Sequence, residues 1–210
     1  LEGSDTTLAS DPSPVDAAAD VPRDVILAWI PGEFAAAHDV YVGTSFDDVN
    51  NASRADGFDV LLSEGQTAET YDLGRLEFGQ TYYWRIDEVN AAPDNTIFKG
   101  LVWNLTVEPL AYPIENIVAT ASHADADSGP ENTVNGSGLN DQDQHSIDAP
   151  DMWLVTPAGE PVWIQYEFDG IYKLHQMQVW NYNVAFELVL GFGLKDVTDE
   201  YSTDGVDLVT

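Results

Sequence analysis

The sequence contains no cysteine and few basic residues, 7 among 210. Without cysteine, neither a disulfide framework nor a thiolate metal site can form. The 37 acidic residues leave a formal net charge of −30. Nucleic acid and anionic membranes are therefore not expected as partners, because both are bound through positive surfaces. We interpret the acidic residues as a solubilising or salt-adapted surface, which is compatible with calcium chelation by a subset of them.

Long apolar runs are absent as well. No run approaches the roughly 20 residues of a membrane-spanning helix, so we expect no membrane insertion. The chain begins at Leu1 without a signal-like segment, and we interpret it as an excerpt of a longer bacterial protein that is secreted or displayed at the cell surface. Apolar residues make up 44% of the chain, enough for ordered cores, and the length suits two modest domains.

The first half shows short apolar runs separated by turn residues. Residues 1–10 are predicted to be a linker. After it, candidate strands lie at 25–30, 39–42, 81–89 and 101–107. Short strands at regular spacing with turn signals between them predict an all-β domain, a β-sandwich.

The stretch LEFGQTYYWRIDEVN at 76–90 resembles a motif of the fibronectin type III module, and we assign residues 11–108 to such a domain. The resemblance implies an immunoglobulin-like β-sandwich in which the Tyr82 hydroxyl bonds to nearby backbone as a tyrosine corner. It implies inward positions for Trp29, Trp84, Ile86, Trp103 and Leu105. It implies no ligand, and we interpret this domain as a spacer.

Glu88 departs from the fibronectin pattern, because a small residue is usual at that inward position. Two explanations stay open. Either Glu88 lies at the open end of the sheet, or it pairs with Arg85 or Arg75.

Residues 109–115 contain two prolines and no strand alternation, so we predict a linker there. Beyond it, 116–210 resembles the discoidin-like domain, also called the coagulation factor 5/8 type C domain, a galactose-binding-like β-jelly-roll. Three segments carry the resemblance: PENTVNGSGLNDQDQHS, EPVWIQYEFDGIYKLHQMQVWNYN and LKDVTDEYSTDGVDLVT. The match ends roughly 30 to 50 residues before the family closes its eight strands. We therefore expect an incomplete jelly roll whose open strand edges favour pairing with another chain.

Within this half, apolar and polar residues alternate from 163 to 168 as in a half-buried strand. Asp169-Gly170 supplies a turn into a second candidate strand that ends near Trp180, and Asp204-Gly205 is expected in a hairpin. Residues 184–192 are unusually apolar. They are either an exposed, interface-forming edge or a buried core strand.

The discoidin resemblance implies a calcium site in the turn at 130–146. Calcium prefers six to eight oxygen ligands, and a loop that bends back on itself offers free carbonyls. The candidate side-chain ligands are Asn132, Asn135, Ser137, Asp141, Asp143 and Ser146. Asn135 stands where the family has Asp, which removes a charge, and an Asx-stabilised polar loop is the alternative.

Aromatic and amide side chains on predicted loops and strand ends suit a sugar. An aromatic face stacks on the C–H surface of a sugar ring, while amides and imidazoles bond its hydroxyls. The candidates are His145, Trp153, Trp180, Asn181, Asn183 and Phe186. For the two tryptophans a core role is the alternative. Arginine is absent from the second half, which disfavours acidic sugars.

The sequence shows no catalytic constellation. Its four histidines are scattered outside any HExxH frame, and Gly136-Ser137-Gly138 lacks the strand-to-helix setting of a nucleophile elbow. We therefore predict a non-catalytic extracellular pair, a spacer and a glycan-binding module, working beside neighbouring domains of a larger polysaccharide-processing or cell-surface protein. The alternative is a structural or adhesive protein–protein interaction module without glycan specificity, which self-associates through open strand edges.

Overall fold

The structure is a computed structural model that describes residues 6–182, 184 and 187–210. The chain divides into two compact units, Leu1–Tyr112 and Pro113–Thr210. Its described secondary structure is nearly all β, which confirms the predicted all-β class. None of the helices in the described part of the chain is long and apolar enough to cross a membrane.

The first unit is a sandwich of two sheets. Its described strands are β1 (Ser10–Ser13), β2 (Ala18–Val21), β3 (Ile26–Ile30), β4 (Ala35–Gly43), β5 (Leu61–Gln66), β6 (Thr70–Asp72), β7 (Thr81–Asn90), β8 (Ile97–Phe98) and β9 (Val102–Val107). One sheet has the order β1-β3-β6 and the other β2-β9-β7-β4-β5, with β8 also paired to β7. The four candidate strands of the sequence correspond to β3, β4, β7 and β9.

A short helix, α1 (Phe46–Asn51), follows β4. No helix was predicted here from the sequence. The Ser45 hydroxyl accepts a hydrogen bond from the Asp48 backbone N–H at 3.3 Å, and Asp47 and Asp48 occupy the first turn. A serine cap followed by acidic residues favours a helix start, because both satisfy the free N–H groups of the first turn.

The core joins apolar side chains from both sheets. Its inward residues were those expected: Trp29, Trp84, Ile86, Trp103 and Leu105 are all buried. The Trp84 and Trp103 rings lie 4.7 Å apart between centroids. The Tyr82 hydroxyl accepts a hydrogen bond from the Glu77 backbone N–H at 3.3 Å, which is the contact expected of a tyrosine corner.

Both explanations offered for Glu88 are wrong. Glu88 is fully buried, and its partner is His38, directly opposite on β4. His38 Nδ1 and Glu88 Oε2 lie 2.5 Å apart, and Glu88 Oε1 accepts from the Gly32 N–H at 3.1 Å. A carboxylate inside an apolar core needs such partners, because an unpaired buried charge is costly. The partner is 50 residues away in sequence, so a local sequence pattern cannot predict the pair.

The other face of the β4–β7 pair carries a second buried charged cluster. Arg85 is fully buried, and its Cζ lies 4.3 Å from the centroid of the Tyr41 ring. Arg85 Nε and Nη2 donate to the two carboxylate oxygens of Asp87 at 2.8 and 3.0 Å. The guanidinium also donates to three carbonyls at the end of α1, those of Val49, Asn50 and Ala52. Carbonyls in the last helical turn lack intrahelical partners, so Arg85 joins α1 to the sheet.

Asp39 extends this cluster to the connection after α1. It is fully buried and accepts from Arg54 Nε and Nη2 at 2.6 and 2.8 Å and from the Gly65 N–H at 2.7 Å. Burial raises the pKa of Asp87, although the Gly100 N–H and Arg85 oppose the shift. Burial, and then the nearby Asp87 and Asp39, raise the pKa of Tyr41 to about 12.

The second unit has less regular structure. Its described elements are β10 (Val118–Ala121), β11 (Ile164–Glu167), a helical turn α2 (Glu187–Leu190), and 3₁₀ helices at Pro130–Thr133 and Ala149–Asp151. β10 and β11 pair antiparallel. The predicted alternation at 163–168 is confirmed, since burial alternates along it. The Asp204-Gly205 hairpin is also confirmed, because Tyr201 and Val209 exchange two backbone hydrogen bonds of 2.9 Å across it.

Two predictions for this unit are wrong in the described residues. No strand forms at 171–180, where the chain after the turn is irregular and Tyr172 instead bonds back to Asp169 through its hydroxyl at 2.5 Å. The buried-strand interpretation of 184–192 fails because Glu187–Leu190 are helical and Val189 is 81% exposed. The Glu187 carboxylate accepts the backbone N–H groups of Phe192 and Gly193, and such local bonds compete with strand pairing.

Replacing Arg85 by methionine tests the second charged cluster. The change leaves the buried Asp87 and the α1 carbonyls without their donor, so we expect the first unit to lose about 3–5 kcal/mol of unfolding free energy. Hydrogen exchange of β7 amides measures this unit alone. Arg75→Met is the control, since Arg75 is exposed. A loss below about 1 kcal/mol would contradict the structural role assigned to Arg85.

The raised pKa of Tyr41 gives a prediction at high pH. Below pH 10 the phenol is protonated in both folded and unfolded chains, so its contribution to stability is complete; it is lost as pH rises toward the folded pKa of about 12. We expect wild type to lose about 1.4 kcal/mol per pH unit more than Tyr41→Phe in this window. Urea unfolding at pH 10, 11 and 12 measures it, with Tyr83→Phe as the hydroxyl-deletion control. Parallel curves would refute the assignment.

Candidate functional site

The loops of the second unit are tied together by side-chain hydrogen bonds to backbone. Asp125 accepts from both the N–H and the hydroxyl of Thr156, at 3.0 and 2.9 Å. The buried Ser128 hydroxyl donates to the Ala149 carbonyl at 2.9 Å. Asn132 Nδ2 donates to the carbonyls of Pro150 and Met152 at 2.7 and 3.1 Å. These bonds place the predicted metal-binding turn against the segment at 149–156.

Residues 138–146 form a compact loop, which we call the acidic loop. Leu139 and His145 form an isolated antiparallel bridge at its base. At its tip, Asn140 Oδ1 accepts the backbone N–H groups of Gln142 and Gln144 at 2.9 and 3.1 Å. Sequence reasoning passed over Asn140, although an asparagine opening a polar loop is a signal for such an Asx turn.

The predicted calcium ligands are partly committed to holding these loops. Asn135 Oδ1 accepts from the Ser137 N–H at 2.7 Å, and the Ser146 hydroxyl donates to Asp151 at 2.5 Å. Asp141 and Asp143 lie exposed on the acidic loop. Among the described residues, no group of three or more His, Cys, Asp or Glu side chains could hold a metal. The predicted set consists mostly of amide and hydroxyl donors, so calcium binding stays a prediction.

Trp180 reaches the acidic loop from a distant part of the sequence. Its Nε1 donates to the Asp143 carbonyl at 2.7 Å across 37 residues, while 37% of the residue stays exposed. Asp143 has φ +57, a left-handed conformation that turns its carbonyl out of any regular ladder. The structure therefore brings Trp180, Asp143 and the loop carrying Asp141 and His145 together.

Asn181, predicted to contact a sugar, holds the backbone instead. Its Nδ2 donates to the Leu194 carbonyl at 2.7 Å, and its Oδ1 accepts the Leu194 N–H at 3.1 Å and the Tyr182 N–H at 2.9 Å. Both ends of the amide are used in this clamp. Few of its hydrogen-bonding positions remain for a ligand.

Of the other described sugar-site candidates, His145 lies on the acidic loop that Trp180 contacts, and Trp153 bonds to a different segment. His145 Nδ1 donates to the Ser146 carbonyl at 2.7 Å, within the acidic loop. Trp153 Nε1 donates to the His123 carbonyl at 3.2 Å, and Trp153 is half-buried, in keeping with its packing alternative. Asn183 and Phe186 lie outside the described residues.

No family model matches the chain, and no curated protein matches it. Among solved structures, it is similar to an α-L-rhamnosidase from Dictyoglumus thermophilum, with 13% sequence identity and a TM-score of 0.39. The match covers 56% of this chain and 15% of the rhamnosidase chain.

The structural role of Asn181 is testable. Asn181→Ala removes both bonds to Leu194, so we expect the Leu194 amide to exchange about tenfold faster, as for a net loss of about 1.4 kcal/mol. Hydrogen exchange followed by NMR measures it, with the exposed Gln178→Ala as control. Unchanged protection of Leu194 would show that Asn181 is free of this clamp and restore it as a ligand candidate.

Proposed function

We propose that this chain is a non-catalytic, extracellular pair of β domains, in which the second unit binds a neutral glycan and the first is a spacer. The observation that carries the proposal is the setting of Trp180 beside the acidic loop. An indole face that is held in place and partly exposed next to polar side chains is the arrangement that sugar rings require.

Trp180 suits this role because a hydrogen bond to the acidic loop orients its ring. The hydrogen bond from Nε1 to the Asp143 carbonyl uses the polar edge of the indole, which leaves the apolar face for stacking. Asp141 and His145, on the same loop, supply groups that bond sugar hydroxyls. Holding the ring before binding lowers the entropy lost when the ligand arrives.

The charge of the chain favours a neutral ligand. All four arginines lie in the first 85 residues, and the formal net charge is −30. An acidic sugar would meet repulsion without an arginine to compensate for it. We therefore propose a neutral polysaccharide or glycan, bound weakly at each module and more tightly when neighbouring modules of a parent chain act together.

The spacer role of the first unit is supported by its packing. The Tyr82 contact and the buried tryptophans follow the fibronectin type III pattern quoted above. Its buried tryptophans pack in the common core of the two sheets, and Tyr41 packs in a second, smaller core. A rigid unit of this kind suits a role in holding a binding module away from its neighbours.

Calcium is a subsidiary part of the proposal. Exposed Asp141 and Asp143 would supply the charge, and carbonyls of the acidic loop would supply further oxygens. The ion would fix the loop on which Trp180 rests. Its role would be structural, and glycan binding would then depend on it.

A second candidate function is adhesion through protein–protein contacts. It is favoured by the large apolar side chains that the second unit exposes, among them Trp163, Ile171, Leu174, Met177, Val179, Val189, Phe192, Val197, Val206 and Leu208. Exposed apolar side chains mark interaction sites where they form a contiguous patch. Under this hypothesis the second unit binds another protein and has no glycan specificity.

A glycan array with the full chain, in calcium and in chelator, tests the proposal. Trp180→Ala should lose about fivefold to thirtyfold in affinity for any neutral glycan bound, as when a stacking contact of about 1–2 kcal/mol is removed. Trp163→Ala is the matched control, because Trp163 is 50% exposed on the same unit and should keep binding. Loss in chelator would assign calcium its structural role.

Two results would contradict the glycan proposal. Binding that survives Trp180→Ala would move the site elsewhere. Silence across the array, together with concentration-dependent association in sedimentation and a folded circular dichroism spectrum, would favour the adhesive function instead.

A further inference from the structure

The first unit carries a strained turn that the spacer role does not explain. Gly57 to Val60 form a four-residue turn closed by a hydrogen bond from the Val60 N–H to the Gly57 carbonyl at 2.8 Å. Its two central residues, Phe58 and Asp59, have φ +47 and +59. Two positive φ values in succession are the signature of a type I′ turn, which favours Asn and Gly at these places.

Phe58 is a poor choice for that position on conformational grounds alone. A bulky residue at positive φ is an outlier, since its Cβ crowds the backbone. Among the described residues with positive φ, Phe58 is the only aromatic one. It gains little from burial in return, because 47% of it is exposed. Strain held at an exposed side chain points to function.

The turn is held in place from both sides. Val60 is buried in the small core that also contains Tyr41, Val49 and Ala52, and its carbonyl accepts the Val42 N–H at 2.8 Å. Before the turn, the Arg54 guanidinium is paired with the buried Asp39. These anchors hold the backbone of the turn in its positive-φ conformation, so the Phe58 ring stays exposed to solvent.

The surface around Phe58 has the character of a cation site. A shallow groove is lined by Ala55, Asp56, Gly57, Phe58, Asp59 and Leu61. It therefore combines an aromatic face with two exposed carboxylates. The same unit already uses this chemistry internally, with Arg23 Cζ 4.1 Å above the Phe78 ring and Arg85 over Tyr41 beside Asp87. A guanidinium or ammonium group is attracted by both the ring and the carboxylates.

We propose that this groove, which we call the Phe58 groove, docks an arginine or lysine side chain from a basic segment of a partner polypeptide. Charge complementarity selects the occupant, because a chain of net charge −30 draws cationic partners and repels acidic ones. The groove lies in the first unit and is independent of the glycan site proposed for the second. It makes the spacer a docking module in its own right.

NMR titration of the full chain with a capped Gly-Arg-Gly-Arg-Gly peptide tests the proposal, with the same peptide carrying glutamine for arginine as the ligand control. We expect amide shifts concentrated at 55–61. Phe58→Asn keeps the charge and suits the turn, so it should weaken binding about threefold or more while raising the melting temperature by a few degrees. Asp56→Asn should weaken binding without changing the melting temperature.

The matched control is Phe34→Asn, since Phe34 is an exposed phenylalanine on another loop of the same unit; it should bind as wild type does. Three results would overturn the proposal: shifts spread evenly over the acidic surface, affinity unchanged by Phe58→Asn, or a melting temperature lowered by Phe58→Asn. The last would show that the ring is retained for packing.

Discussion

The buried guanidinium of Arg85 sets the architecture of the first unit, because so many unsatisfied groups converge on it. The Asp87 carboxylate on β7 and three carbonyls at the end of α1 all direct oxygen atoms at this one cation. The carbonyls at the end of α1 would otherwise face the sheet without donors. Its neighbour Asp39 continues the arrangement to Arg54 and Gly65. The outer face of the larger sheet, which α1 covers, is therefore stabilised by charged groups and their hydrogen bonds. The inner face is stabilised mainly by apolar packing.

The two units differ in how their apolar residues are used. In the first, tryptophans and aliphatic residues from both sheets meet in a common core. In the second, the described structure is held mainly by side-chain bonds to loop backbone, such as Asp125 to Thr156 and Asn132 to Pro150. Much of its apolar surface stays exposed. Loops held by polar bonds open locally at lower free energy than core strands do, so the second unit is the more adaptable surface of the two.

Local periodicity predicted those strands whose side chains alternate between core and solvent. β9 and β11 are examples, since burial alternates along each of them. Local periodicity did not predict the features that involve hydrogen bonds of polar side chains. The partner of Glu88 is His38 on the neighbouring strand, and the Glu187 carboxylate bonds the Phe192 N–H just beyond a helical turn where an apolar strand was one prediction. At the candidate site, the sequence identified Trp180 as an aromatic residue suited to a sugar. It did not predict the contact of Trp180 with Asp143 or the hydrogen bonds of Asn181 to the backbone.

The commitment of Asn181 to the backbone changes what the proposed glycan site can recognise. If stacking on Trp180 orients a sugar, its hydroxyls must be met by the acidic loop, where Asp141 and His145 remain. Carboxylates accept hydrogen bonds but do not donate them, so the site would read hydroxyl donors and favour unsubstituted sugars. A calcium ion bound by Asp141 or Asp143 would hold the acidic loop in place. Metal and sugar would therefore be coupled through this loop, which also limits how many ligand hydroxyls the site can satisfy.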